Sequence, residues 1–224
     1  MQSDFLDPAL IPANLDRFLV RRSIFDALRS QFELFEGILL DVGCGQMPYK
    51  PMLTSLPSKV SHFIGLDLES NFIHNNKPDI TWRDGKIPLD ENSVDCAICT
   101  EVFEHCPEPE AVMKEICRVF KPGGLLFFTV PFLWPLHEVP YDEYRYTPFS
   151  LQRHLTNSGF VELDIKPLGG WDASMAQMIG LWVRRRPMNR WVRLFCLFWH
   201  GHCLGFFLNL INAKKILSSL MKVQ

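Results

Sequence analysis

The sequence predicts an α/β fold: a Rossmann-like, mainly parallel sheet with helices on both faces, plus a helical C-terminal extension. Short apolar runs alternate with polar or helical segments across residues 37–170, as strands joined by crossover helices do. The first run, Leu39-Leu40-Asp41-Val42, passes straight into the glycine turn Gly43-Cys44-Gly45. Carboxylates recur at the ends of later runs, where open parallel sheets bind their ligands.

Residues 1–36 read as a helical lead-in, with Leu15, Phe18, Leu19, Phe25, Leu28, Phe32 and Phe35 at largely helical spacing. Strands are expected at 38–43, 62–68, 79–84, 94–100, 124–132 and 160–168. Pro48 is expected to start the helix after the glycine turn. Between the fourth and fifth runs, a helix opens at Pro109, carries Val112, Ile116, Val119 and Phe120 on one side, and stops at Lys121-Pro122-Gly123-Gly124. Residues 171–224 read as a basic, apolar helical extension. No strand is evident after residue 168, and the last nine residues (216–224) look too short and polar-ended to supply one.

A length of 224 residues suits one α/β domain with an appendage. Hydrophobic residues at 47% and charged residues at 21% can form a packed core and exclude wholesale disorder. The first residues, with two acids and two prolines, do not read as a signal peptide. Net charge is −2, but all 25 acids lie at or before Asp172 while residues 173–224 carry eight bases, leaving +8 there and −10 in the remainder. The acidic body disfavours nucleic acid as a partner, and the basic tail suits an anionic surface. The seven cysteines are scattered. Cys96 and Cys99, three apart on a strand, point to opposite faces and read as small buried hydrophobes.

The site residues follow from these placements. Gly43 and Gly45 let a ligand approach the backbone. Asp67 ends the second run, 22 residues after Gly45, and a carboxylate there accepts from ribose hydroxyls. Asp84 would reach an adenine edge, and Glu101 ends the fourth run. A dinucleotide oxidoreductase would want a third glycine where Pro48 stands, and a phosphate-binding loop would want Gly-Lys-Ser/Thr.

Together, LLDVGCG, IGLDL, DGKIPLDENSVDCAICTEVFEH and EICRVFKPGGLLFFTVPF resemble a class I S-adenosylmethionine-dependent methyltransferase of the type 11-like superfamily, over residues 37–168. The resemblance implies S-adenosylmethionine as cofactor and S-adenosylhomocysteine as product. It implies Asp41, Gly43, Cys44 and Gly45 around the methionine end, Asp67 and Leu68 at the ribose, Asp84 and Gly85 at the adenine, and Thr100 and Glu101 on the pocket floor. The form GCGQMPYKPML resembles a subgroup found among polysaccharide-modifying methyltransferases.

Segment 131–151 follows the fifth run and concentrates Trp134, His137, Glu138, Tyr141, Asp142, Tyr144, Arg145 and Tyr146. It is the expected acceptor side, a loop carried on a rigid frame. A bland reading stands beside this one, with tyrosines capping the core and Arg145 paired with Asp142 or Glu143. Imidazole titrates near neutrality, so His137, and second His105, are the expected general bases. Thr100-Glu101-Val102-Phe103 stands where amide methylation would show Asp/Asn/Ser-Pro-Pro-aromatic, which argues against nucleic-acid and amide targets. O-methylation is the expected reaction, and the subgroup resemblance implies a sugar, glycan or other small-molecule hydroxyl as acceptor. The alternatives are a non-catalytic cofactor-binding partner subunit and a membrane-associated scaffold with a relic domain. The tail reads as helices broken near Gly201 to Gly205, with peripheral membrane contact through residues 182–215. The chain is expected to be cytoplasmic, at the inner face of the membrane where it touches lipid. Cys196, His200, His202 and Cys203 lack a second pair of zinc-like spacing, so no metal is expected.

Overall fold

The computed structural model describes residues 5–68, 77–197 and 220–223. The chain forms two compact units: Ser30–Lys166 with Ser219–Gln224, and Met1–Arg29 with Pro167–Ser218.

The larger unit is built on a seven-stranded sheet. Its strands are β1 (Glu36–Val42), β2 (Lys59–Asp67), β3 (Ile80–Thr81), β4 (Val94–Thr100), β5 (Phe120–Thr129), β6 (Phe160–Asp164) and β7 (Leu220–Val223). Their order is β3-β2-β1-β4-β5-β7-β6. All pairs from β3 through to β5 are parallel, and β7 runs antiparallel to both neighbours. The chain steps outward from β1 to β3, then returns to place β4 on the other side of β1. Strand order therefore reverses between β1 and β4, the place where such sheets open a crevice for ligands.

Consecutive residues Leu39 to Val42 and Cys96 to Cys99 are all buried, so both faces of the central strands are covered. On one face Leu40, Val42, Ala97, Cys99, Leu126 and Phe128 form a single cluster. Met113, Ile116 and Val119 join it from helix α3 (Pro109–Val119), and Leu151 and Leu155 from helix α4 (Pro148–Asn157). On the other face the rings of Phe35 and Phe127 meet edge to face at 6.4 Å.

Several boundaries differ from the sequence expectation. Among the described residues the lead-in holds helix α1 (Phe18–Ser30), between 3-10 turns at Pro12–Asn14 and Phe32–Leu34. The short helix α2 (Lys50–Thr54) begins two residues after Pro48, and Tyr49 occupies its N-cap position. The third strand is only Ile80–Thr81. Beyond it Arg83 and Lys86 exchange backbone hydrogen bonds of 3.1 and 2.8 Å across Asp84 and Gly85, both at positive φ. That is the mirror-image turn Asp-Gly favours, and it ends the extended run early. Where the sequence shows no clear strand after residue 168, Leu220–Val223 pairs with both β5 and β6. Four residues are too few to show a period of two, and this strand is held by ladders on both edges, which no local pattern reveals.

In the smaller unit, helix α5 (Trp171–Arg185) contributes Ala176 to a cluster with Leu15 and Leu19, and Phe18 and Leu197 pack against it. Gln177 Nε2 donates to the Asp16 carbonyl at 2.7 Å, and Arg185 Nε to Asp16 Oδ2 at 3.1 Å. The expected helix break at Gly201 to Gly205, with His200, His202 and Cys203, lies outside the described residues.

Candidate active site

The turn after β1 is tied to β2 by its backbone. The N–H groups of Gly43 and Cys44 both donate to the Leu66 carbonyl, at 2.9 and 3.0 Å. Gly43 has φ +70, and a Cβ there would stand 2.4 Å from Val102 Cγ2. The turn thus packs directly on the segment leaving β4, and only glycine fits. Gly45, at φ +50, has no heavy atom within 4 Å of where its Cβ would be. Its N–H donates to Asp67 Oδ2 at 2.8 Å, and the Leu68 N–H donates to Oδ1 at 2.7 Å. These bonds preset the Asp67 carboxylate at the end of β2.

Asp41 is buried, and its Oδ2 has no hydrogen-bond partner. Burial, then the neighbouring Asp67 charge, pushes its carboxyl up to about 8, while Lys50 pulls the other way. A buried, unpartnered oxygen is what a bound polar ligand would satisfy. Lys50 also stands 3.6 Å from Asp79 Oδ2. Neither Lys50 nor Asp79 was identified from the sequence as a site residue. Asp84 and Gly85 are on an exposed turn rather than at a strand end.

At the end of β4, Thr100 is half-buried. Glu101 adopts φ 56, donates its N–H to the Thr129 carbonyl at 3.0 Å, and accepts from Thr129 Oγ1 at 2.9 Å. A 3-10 turn (Phe103–His105) follows and carries Glu104 fully inside, with no hydrogen-bond partner for either carboxylate oxygen. Burial first, then Glu101, pushes the Glu104 carboxyl up to about 9. The sequence reading missed Glu104; the signal available was an acid directly before His105.

The loop after β5 folds around Asp142. Arg145 donates to both of its carboxylate oxygens, at 2.6 and 2.7 Å. The His137 N–H reaches Oδ2 at 3.0 Å, and His137 Nδ1 lies 3.1 Å from the same atom. Arg145 above all, with the His137 bonds, holds the Asp142 carboxyl well below the usual carboxylate range. Arg145 also donates to the Trp134 carbonyl at 3.3 Å. Tyr146 is buried with its hydroxyl on the Phe103 carbonyl at 2.8 Å. The Tyr144 ring stacks on it at 5.5 Å, with its own hydroxyl on the Pro107 carbonyl. The polar groups of Tyr144, Arg145 and Tyr146, expected on the acceptor side, bond to this loop and to the turn after β4, which gives buried backbone carbonyls there their partners. Glu138 and Tyr141 are exposed, and Trp134 is half-buried with its ring 6.5 Å from that of His137.

The backbone N–H groups of Glu143 and Tyr144 donate to the Glu104 carbonyl, at 2.8 and 3.1 Å. The loop is thereby docked on the turn after β4. His105 and His137 come together edge to face, with ring centroids 4.8 Å apart.

Residues 40–128 match a family model described as a methyltransferase domain. Over 103 residues the chain is 31% identical to a ubiquinone biosynthesis O-methyltransferase of Paracidovorax citrulli, covering 41% of this chain and 42% of that one. The chain spans under half the length of the curated relatives it first matches. Among solved structures it is similar to a phosphoethanolamine N-methyltransferase of Haemonchus contortus, with TM-score 0.57 and 13% identity over 100% of this chain and 60% of that one. It is also similar to an S-adenosylmethionine-dependent methyltransferase of Aquifex aeolicus, with TM-score 0.50 and 24% identity over 68% and 90%. At these identities the structures speak for the fold, which is that of class I methyltransferases.

Proposed function

We propose, from a chain that carries a class I S-adenosylmethionine-dependent methyltransferase domain, that it transfers a methyl group from S-adenosylmethionine to a hydroxyl of a sugar, glycan or other small molecule. One observation carries the reading: the glycine turn, the preset Asp67 and the unpartnered Asp41 oxygen meet at the ends of β1 and β2, against the segment leaving β4. When bound, the cofactor supplies a methyl group on a positively charged sulfur, already a good leaving group.

The protein's own tasks are then alignment and proton removal. The open side of Gly45 admits the ligand close to the backbone. Asp67 accepts from the ribose hydroxyls, and the Asp84-Gly85 turn lies at the adenine. Thr100 and Glu101 form the floor. On the acceptor side, Asp142 accepts the Nδ1 proton of His137, which leaves Nε2 to take the hydroxyl proton, with His105 beside it. Glu138, Tyr141 and Trp134 are the contacts proposed for the acceptor. The choice of a glycan hydroxyl rests on the resemblance of the form GCGQMPYKPML to a subgroup found among polysaccharide-modifying methyltransferases.

We further propose a peripheral contact with an anionic membrane through residues 182–215. Trp182, Trp191 and Phe195 are exposed among Arg184, Arg185, Arg186, Arg190 and Arg193. No helix among the described residues is long and apolar enough to cross a membrane.

Calorimetric titration with S-adenosylmethionine and S-adenosylhomocysteine tests the cofactor site. Wild type is expected to bind both, and Asp67→Ala to lose at least about tenfold, or about 1.4 kcal/mol. No binding by folded wild type would sink the reading. Cofactor binding without turnover across a hydroxyl-acceptor panel would favour a non-catalytic partner subunit.

A further inference from the structure

We propose that Glu104, His105 and His137 form a binding site for one divalent first-row transition cation such as zinc, cobalt or manganese. Sequence spacing gave no hint of it, and the three residues come from two separate loops.

One ligand atom from each of these residues lies within 4.8 Å of the others. His105 Nε2 is already 3.7 Å from Glu104 Oε1. A tetrahedral ion with bonds of about 2.0–2.2 Å holds its ligands roughly 3.4 Å apart. A small side-chain adjustment closes the remaining difference.

Glu104 is the strongest evidence that something binds here. It is fully buried, and both of its oxygens lack a hydrogen-bond partner. A buried carboxyl without partners costs the fold unless a ligand satisfies it.

The histidines are oriented as ligands are. His137 Nδ1 faces Asp142 Oδ2 at 3.1 Å, and His105 Nδ1 faces the Tyr141 carbonyl at 3.0 Å. An ionised carboxylate and a carbonyl can only accept, so each Nδ1 carries the proton. In the neutral imidazole that leaves each Nε2 a lone pair to offer a cation. Histidine ligands almost always donate their second nitrogen's proton to a carboxylate or carbonyl in this way. Asp142 is itself clamped by Arg145 through two bonds, so the orientation of His137 is built in several layers. Glu138 Oε2, exposed and 3.9 Å from His105 Nε2, stands at the mouth where a fourth ligand or a substrate hydroxyl would enter.

Two imidazoles and one carboxylate suit these cations better than magnesium or calcium, which prefer all-oxygen shells. Cation binding as such does not depend on the methyl-transfer reading, but its use does. With a cation present, His137 serves as a ligand rather than as the base. The acceptor hydroxyl would coordinate the ion and lose its proton to solvent.

The test uses the full chain, stripped with chelator and titrated with cobalt(II), read by visible absorption and equilibrium dialysis. The expected result is one cobalt per chain with a tetrahedral spectrum. Affinity should fall at least about tenfold in Glu104→Gln and in His137→Gln, and about 10–100-fold in Asp142→Asn. Asp67→Ala should bind cobalt as wild type does. His137 is only half-buried, so its variant is expected to fold even if Glu104→Gln does not. No cobalt bound by folded wild type, or His137→Gln binding as tightly as wild type, would overturn the proposal. Cobalt binding with no cofactor binding would sink the methyl-transfer reading alone.

Discussion

Asp41 stands at the hinge between β1 and the glycine turn, and its environment favours the neutral acid. Unfolded, an aspartate titrates near about 3.9. Folded, this one titrates at about 8, burial being the first cause. The folded chain therefore keeps a proton that the unfolded chain releases. The stability it contributes is complete below the unfolded value and is lost as pH rises through about 8. Asn cannot ionise, so Asp41→Asn removes this dependence. Without ligand, the melting temperature of wild type should fall relative to the variant from about pH 5 upward, and the gap should level off above the folded value. Parallel melting curves that keep a constant gap across this range would contradict the assignment. Asp67, by contrast, has both oxygens engaged by backbone N–H groups in advance, so its geometry is paid before any ligand arrives.

Among the elements, helix α4 shows how the loop after β5 is terminated. Thr147 caps it, its side chain accepting from the Ser150 N–H while Ser150 Oγ accepts from the Thr147 N–H, and Pro148 takes the first turn, where it loses no bond. Thr147→Ala should cost about 1 kcal/mol, read from urea unfolding. A wild-type midpoint and slope would show that the cap contributes nothing. Strand β7 makes a larger demand. Lys222 is paired with Leu125 on one side and Val161 on the other, and proline there removes a ladder donor from a strand with no free edge. Lys222→Pro should lower the melting temperature by several degrees, since each 1 kcal/mol is about 2–4 °C in a chain of this size. An unchanged melt would mean that β7 does not hold β6 to the sheet.

For the molecule as a whole, charge and exposed aromatics divide along the chain. Residues 173–224 hold eight bases and no acid. Co-sedimentation with vesicles should therefore show binding to anionic but not zwitterionic lipid, weakened by salt and by replacing Arg184, Arg185 and Arg186 with Gln. Equal partition to both lipids, or to neither, would remove the membrane reading. The alternating apolar runs, the glycine turn and Asp67 at a strand end were all readable in the sequence, because each is local: a period, a residue without Cβ, a carboxylate at a fixed distance along the chain. The sequence by itself determined the mainly parallel sheet, its cofactor crevice and the charged tail for that reason. Only the tertiary structure decided that Leu220–Val223 enters the sheet between β5 and β6, that the Tyr146 hydroxyl meets the Phe103 carbonyl, and that Glu104 and His105 meet His137. These are contacts between segments far apart in the chain, set by how the loops dock on one another, and no local pattern encodes them.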